Sequence, residues 1–153
     1  MSGASIKNIQ TEDIVAILFE THLGAVGTLL ISQVAPGHKN RLTVEISGKD
    51  ESLSFDQENP EKLWIGRRNG SQLLVRDPLT NHESAARLSV LPTGHVQGYQ
   101  DAFNGFIADV YTAIRTGIAP EGMPHFADGL RAAQLTSAVQ RSARERTWQQ
   151  IPD

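Results

Sequence analysis

Gly94-His95-Val96-Gln97-Gly98-Tyr99 gathers the side chains of this 153-residue chain best suited to chemistry. Two glycines within five residues permit backbone geometry, and close approach by a ligand, that a Cβ would block. Imidazoles as a class titrate near neutral pH, and a phenol both donates and accepts. His95 and Tyr99 therefore suit binding and polarising a polyol or keto substrate. The competing reading is a plain loop that opens a helix, with Asp101 in the first turn favoured by the helix dipole. A second polar segment, Gly37-His38-Lys39-Asn40-Arg41, enters a strand. It reads either as a solvated hairpin end or as an anion or substrate contact. Ser32-Gln33 ends an otherwise apolar strand, where polar groups need partners, so a polar cleft or a subunit contact suits it.

Other chemistries have no footing in the chain. The five histidines are widely spaced, without HxxxH or HExxH, so no metal site is expected. No GxGxxG follows a strand and no GxxxxGK[ST] occurs, so the usual phosphate cradle of a nucleotide enzyme is missing. Gly24-Ala25-Val26-Gly27 lies between two apolar runs and reads as a turn. Ser32, Ser52 and Ser142 lack a nucleophile elbow, and a hydrolase built on His95 and Asp101 would have no nucleophile beside them. With no cysteine, disulfide frameworks, thiolate metal sites and Cys nucleophiles are all excluded, and a reducing cytoplasm fits. The net charge of −3 gives no basic stripe for nucleic acid. Apolar runs such as Val15-Ala16-Ile17-Leu18-Phe19 fall far short of the roughly 20 residues of a membrane span. The start, MSGASIKN, has no apolar signal core.

The elements that must position these residues change period midway. Asp13 to Glu20 and Ala25 to Val34 are apolar strand-like runs. Arg41 to Ser47 alternates, with Leu42, Val44 and Ile46 on one face and Thr43 and Glu45 on the other, the signature of a sheet with one covered face. Gly48-Lys49-Asp50 turns into Glu51 to Asp56. Lys62 to Arg68 and Ser71 to Arg76 flank Asn69-Gly70, a strong signal for a two-residue hairpin whose turn positions both need φ > 0. Residues 77 to 98 are mixed, with a short helix expected at His82 to Leu88. Phe103, Phe106, Ile107, Val110 and Ile114 then fall on one face of a helix over Tyr99 to Arg115, ended by Gly117 and Pro120, and are expected to be core. A second, Ala-rich helix runs from Ala127 to Arg144, and Thr147 to Ile151 reads as a last short strand. Five or six antiparallel strands followed by two helices predict a single domain over 1–153 of the α+β class. The sheet would be open-faced and mainly antiparallel, with the two C-terminal helices packed on one side.

The order of these segments resembles the C-terminal domain of the Gfo/Idh/MocA oxidoreductases, the glucose–fructose oxidoreductase and inositol dehydrogenase family. The residues carrying the resemblance are Ser32-Gln33, Gly37 and Asn40, Gly48, and then Gln57, Pro60 and Leu63 in a Gln/Glu-x-x-Pro-x-x-Leu loop. Gly94-His95, Gly98-Tyr99, Asp101 and Phe103 match a Gly-His-x-x-Gly-aromatic-x-Asp-x-Phe segment. Pro124, Phe126 and Asp128-Gly129 through Ser142-Ala143-Arg144 to Trp148 match the closing helix. The likeness covers about residues 12 to 151.

The resemblance implies an NAD(P)-dependent enzyme acting on a sugar, polyol or related hydroxy or keto compound. It also implies a division of labour. Family members bind NAD or NADP with an N-terminal Rossmann domain that also carries the catalytic Lys in Glu-Lys-Pro. An Asp-x-x-x-His motif opens the second domain, and this sequence has none of the three. The chain is expected to be a C-terminal piece beginning just before the first long strand of the open sheet, binding no cofactor and holding no catalytic residue of its own. His95 and Tyr99 would lie near the bound substrate, with Lys39 and Asn40 as weaker candidates at the sheet edge. The open sheet face would be the contact of a homo-oligomer, which accounts for apolar residues on both faces of Ala25 to Val34. The alternative is a non-enzymatic α+β module for dimerisation or ligand binding. No nucleic acid or membrane partner is expected.

Overall fold

Alternating apolar residues make the strands, and the register of the strands decides what each face carries. The computed structural model describes residues 11–151. The chain divides into two units, one of residues 1–38 with 133–153 and the other of residues 39–132. The architecture is α+β, as expected, with all six long strands present in two antiparallel sheets.

The first unit holds a hairpin of β1 (Ile14–Glu20) and β2 (Val26–Ser32), paired from Ile14 opposite Ser32 to Glu20 opposite Val26. Its turn is closed by Thr21, whose Oγ1 accepts from the Ala25 N–H at 3.1 Å and whose carbonyl accepts from Gly24 at 2.9 Å. Gly24 sits at φ +84, a conformation that favours glycine. The Ser32 hydroxyl accepts from the Val34 N–H at 3.2 Å at the end of the strand.

The second unit opens with a meander of β3 (Thr43–Ser47), β4 (Glu51–Asp56), β5 (Lys62–Arg67) and β6 (Gly70–Val75), adjacent in that order. Its register lines Val44, Phe55, Leu63 and Leu74 in one row and Ile46, Leu53 and Ile65 in the next. One face is thereby largely apolar, with Gln72 opposite Ile65 at the β6 end of the second row. The other carries Ser54, Trp64 and Leu73 in one row and Ser52, Gly66 and Ser71 in another. The β5–β6 connection departs from expectation. Arg67 pairs with Gly70, so the turn residues are Arg68 and Asn69. Among the described residues Arg146 alone of the non-glycines has positive φ, so this is not the primed Asn-Gly turn. Gly70 instead starts β6 at φ +142, spending its freedom on leaving the turn.

After β6 comes the one-turn helix α1 (Glu83–Ala86), then α2 (Tyr99–Thr116) and α3 (Phe126–Glu145). The Gly98 N–H donates to Asp101 Oδ2 at 2.9 Å at the start of α2, and Gly117 ends it in the left-handed region at φ +73. The apolar face of α2 is where periodicity put it, yet it is not interior. Phe103, Phe106, Ile107 and Ile114 are all exposed, and among the described residues only Gly66 and Ala138 are buried. The expected strand at Thr147 to Ile151 is also absent, because side chains hold the chain as a turn after α3. Ser142 Oγ donates to the Thr147 carbonyl at 2.8 Å, Gln149 Nε2 donates to Glu145 Oε2 at 2.8 Å, and Arg146 takes φ +54.

Candidate functional site

The loop between α1 and α2 has no regular structure, so its backbone groups need partners from side chains. Three side chains provide them. Glu61 and Arg76 stand opposite each other just beyond the paired ends of β5 and β6, where the Arg76 N–H donates to the Glu61 carbonyl at 2.8 Å. Arg76 Nε lies 3.0 Å from each carboxylate oxygen of Glu61. The pair is well covered, with side chains 12% and 13% exposed. The remaining guanidinium donors reach the loop: Nη1 to the Leu91 carbonyl at 2.8 Å, and Nη2 to the His95 carbonyl at 2.9 Å.

Gln97 completes the arrangement. Its backbone N–H donates to Glu61 Oε1 at 2.9 Å. Its side-chain oxygen accepts from the Val90 N–H at 2.8 Å and the Leu91 N–H at 3.3 Å, while Nε2 donates to the Leu88 carbonyl at 2.5 Å. The Arg76 guanidinium holds the Glu61 carboxyl below its usual range, helped by the Gln97 N–H.

These groups border a cavity of about 570 Å³ beside α2. Leu88, Ala102, Phe103, Phe106 and Pro124 give it an apolar lining. Its charged groups have partners within the chain. Arg87 Nη1 binds Asp109 at 2.8 and 3.0 Å, with Nη2 on the Glu121 carbonyl, and Asp101 accepts from Gly98. The cavity thus presents apolar surface and committed polar groups.

The four residues singled out by sequence do not line this cavity. His95 is exposed on the loop and tied by its carbonyl to Arg76. Gly94, at φ +85, makes the turn that lets the His95 N–H reach the Pro92 carbonyl at 3.1 Å. Tyr99, the first residue of α2, is 74% exposed and its ring rests tilted against Phe103 with centroids 4.9 Å apart. Lys39 and Asn40 are exposed at the approach to β3, where the Asn40 N–H points to Glu58 Oε1 at 3.4 Å. Asp56 organises that turn. Its carboxylate accepts from Asn59 Nδ2 at 3.1 Å and from the Glu58 N–H at 2.9 Å, and the Asn59 bond leads in holding its pKa down. His95 and Tyr99 thus share one end of α2, while Lys39 and Asn40 belong to the sheet's turn region. Sequence reasoning passed over Glu61, Arg76 and Gln97. An Arg ending one strand of a hairpin and a Glu just before the other is a signal for Glu61 and Arg76 only once the register is known.

Among the described residues no cluster of three or more His, Cys, Asp or Glu could hold a metal. Among the described residues every strand pairing is antiparallel. A dinucleotide fold places its phosphate loop between a strand and helix of a parallel βαβ unit, so the described elements do not fit that group. No helix among the described residues is long and apolar enough to cross a membrane.

Comparison with known proteins agrees with this architecture. Residues 2–151 match the model of the "Oxidoreductase family, C-terminal alpha/beta domain" of Gfo/Idh/MocA proteins. Levoglucosan dehydrogenase from Pseudarthrobacter phenanthrenivorans is 27% identical over 150 residues, spanning 94% of this chain and 37% of that enzyme. Among solved structures, an oxidoreductase domain protein from Kribbella flavida matches with a TM-score of 0.80 and 31% identity, covering 94% of this chain and 38% of that one. Levoglucosan dehydrogenase in complex with NADH and levoglucosan matches with a TM-score of 0.81 and 25% identity, covering 94% and 39%. The chain therefore spans less than two-fifths of the length of these relatives.

Proposed function

The chain belongs to the Gfo/Idh/MocA oxidoreductase family, as its C-terminal alpha/beta domain, and from that premise we propose that it is the substrate-binding and oligomerisation part of a cytoplasmic NAD(P)-dependent dehydrogenase. The substrate class is a sugar, polyol or related hydroxy or keto compound. The observation that carries this reading is the likeness, over nearly the whole chain, to an enzyme caught with NADH and levoglucosan. On this reading hydride transfer needs a nucleotide-binding domain outside the present residues, and the chain alone is inactive. His95 and Tyr99 face the substrate from the start of α2, with Lys39 and Asn40 as secondary contacts. Their exposure supports the assignment, because side chains that complete a site with another domain must be presented at the surface.

Two titrations test the reading. Calorimetry of the 153-residue chain with NADH is expected to give no heat of binding, and micromolar affinity would overturn the division of labour. Levoglucosan, added to the chain joined to an in-frame nucleotide-binding domain, is expected to shift the His95 and Tyr99 ring resonances. Shifts elsewhere, with these two rings unmoved, would overturn the site assignment.

A further inference from the structure

We propose that Glu61, Arg76 and Gln97 are positioning residues, a three-member clamp that fixes the backbone of the loop presenting His95. The functional half of this inference rests on the reading of His95 as a substrate contact; the clamp itself stands on geometry. Seven backbone groups of the loop hydrogen-bond to these side chains, and among them only the Pro92 carbonyl has a backbone partner as well, the His95 N–H. Gln97 takes the Leu88 carbonyl and the Val90 and Leu91 N–H groups. Arg76 takes the carbonyls of Leu91, Pro92 and His95. Glu61 takes the Gln97 N–H.

The arrangement exceeds what the hairpin requires. The ends of β5 and β6 are already joined by the backbone bond from Arg76 to Glu61. The side chains of that register pair reach past the sheet to the loop. An Arg fork suits the task, since its planar donors fix direction as well as distance. His95 is held by its carbonyl while its ring stands exposed, so the imidazole is presented from an immobilised backbone. Pre-ordering of this kind lowers the entropy a ligand must remove on binding. None of the three is a catalytic residue, because each acts on the loop and not on a reacting atom.

Amide hydrogen exchange and ¹H–¹³C spectra of the His95 ring, recorded on the 153-residue chain, test the clamp. In Gln97→Ala the Val90 and Leu91 amides are expected to exchange at least about tenfold faster, while the ladder amides of β4 and β5 keep their rates. The same variant and Glu61→Ala are expected to turn the single set of His95 ring signals into broadened or multiple signals. Glu61→Gln keeps an acceptor for the Gln97 N–H and is expected to recover most of the native spectrum, a rescue that simple loss of stability would not give. Unchanged Val90, Leu91 and His95 signals in both alanine variants overturn the proposal. So does loss of the β4 and β5 amides together with those of the loop, in the alanine variants and in Glu61→Gln alike. Failure of the substrate reading is separately visible: His95 then ignores levoglucosan although the variants still loosen the loop.

Discussion

Arg76 and Glu61 meet as a close pair, with Arg76 Nε 3.0 Å from both carboxylate oxygens, where the end of the four-stranded sheet meets the loop ahead of α2. The strands place them opposite each other, and partial burial makes their mutual dependence strong. Removing one partner leaves a poorly hydrated charge behind, whereas removing both does not. A double-mutant cycle of Glu61→Ala and Arg76→Ala is therefore expected to be non-additive. Each single change should cost about 2 kcal/mol, reduced from the fully buried case because water reaches the pair. The coupling should be about 1 to 2 kcal/mol. Urea denaturation midpoints measure it, and additivity within about 0.5 kcal/mol would refute the pairing.

Acid should expose the same pair. The Glu61 carboxyl is held below its usual range by Arg76 first and by the Gln97 N–H second. A depressed native pKa means that the unfolded chain binds the proton more readily. The contribution is thus complete above the unfolded carboxylate range and is lost as pH falls through the native value. Charged side chains bordering the same cavity are Arg87, Asp101 and Asp109, engaged as Arg87 with Asp109 and Asp101 with Gly98. Asp56 is lowered too, through Asn59, but sits in a separate turn. Stability followed from pH 7 to 3 is expected to fall below about pH 4.5, where unperturbed glutamate titrates, and Glu61→Gln is expected to flatten that limb. An identical acid limb in the variant would assign the loss to other carboxylates.

Gly66 is needed for a steric reason that the spectrum of a tryptophan can report. A Cβ built on Gly66 would lie 2.2 Å from Trp64 Cη2 and 2.8 Å from Cζ2, so the indole lies directly over this glycine. Gly66→Ala must push the ring off its seat. The expected cost is about 1 to 2 kcal/mol, with a red shift of Trp64 emission as the ring gains water. Adding Trp64→Thr should restore part of the loss, since the clash goes with the ring. Native emission in Gly66→Ala would show that the ring is seated elsewhere.

Much of this fold was legible from period alone. The apolar runs named every long strand, and the spacing of Phe103 to Ile114 named α2 and its apolar face. What period cannot supply is register and cover. A turn at Asn69-Gly70 would set Arg76 opposite Leu63, and with that register the Glu61–Arg76 pair is invisible. The actual turn, one residue earlier, sets it opposite Glu61. Likewise, a 3.6-residue repeat says which face of α2 seeks apolar company but not whether anything covers it, and Phe103 and Phe106 border a cavity instead. Gln97 stood inside the segment with most chemical promise, yet its role depends on Val90 and Leu88, whose positions no local pattern gives. The Thr147 to Ile151 segment failed for a related reason: hydrogen bonds from Ser142 and Gln149 outweighed the strand preference of Thr147, Trp148 and Ile151.

The largely apolar face of the four-stranded sheet supplies the last prediction. Val44, Phe55, Leu63 and Leu74 form one apolar row across all four strands, and Ile46, Leu53 and Ile65 extend it over three, with Gln72 ending the second row on β6. At its edges Val44 is 44% and Ile46 60% exposed. Apolar area of this extent is stabilised by removal from water at about 25 cal/mol per Å², and a second sheet face is a suitable cover. A stable pair of chains would bury about 800 Å² on each. Sedimentation of the 153-residue chain is expected to give a dimer or a larger assembly. Ile46→Glu should convert it to monomer, because a carboxylate in that row would be desolvated on association. The substitution should cost the isolated chain little, since the side chain is already largely in water. A wild-type monomer at high micromolar concentration would count against this face as the subunit contact, and an Ile46→Glu chain that keeps its assembled mass would move the contact to another surface.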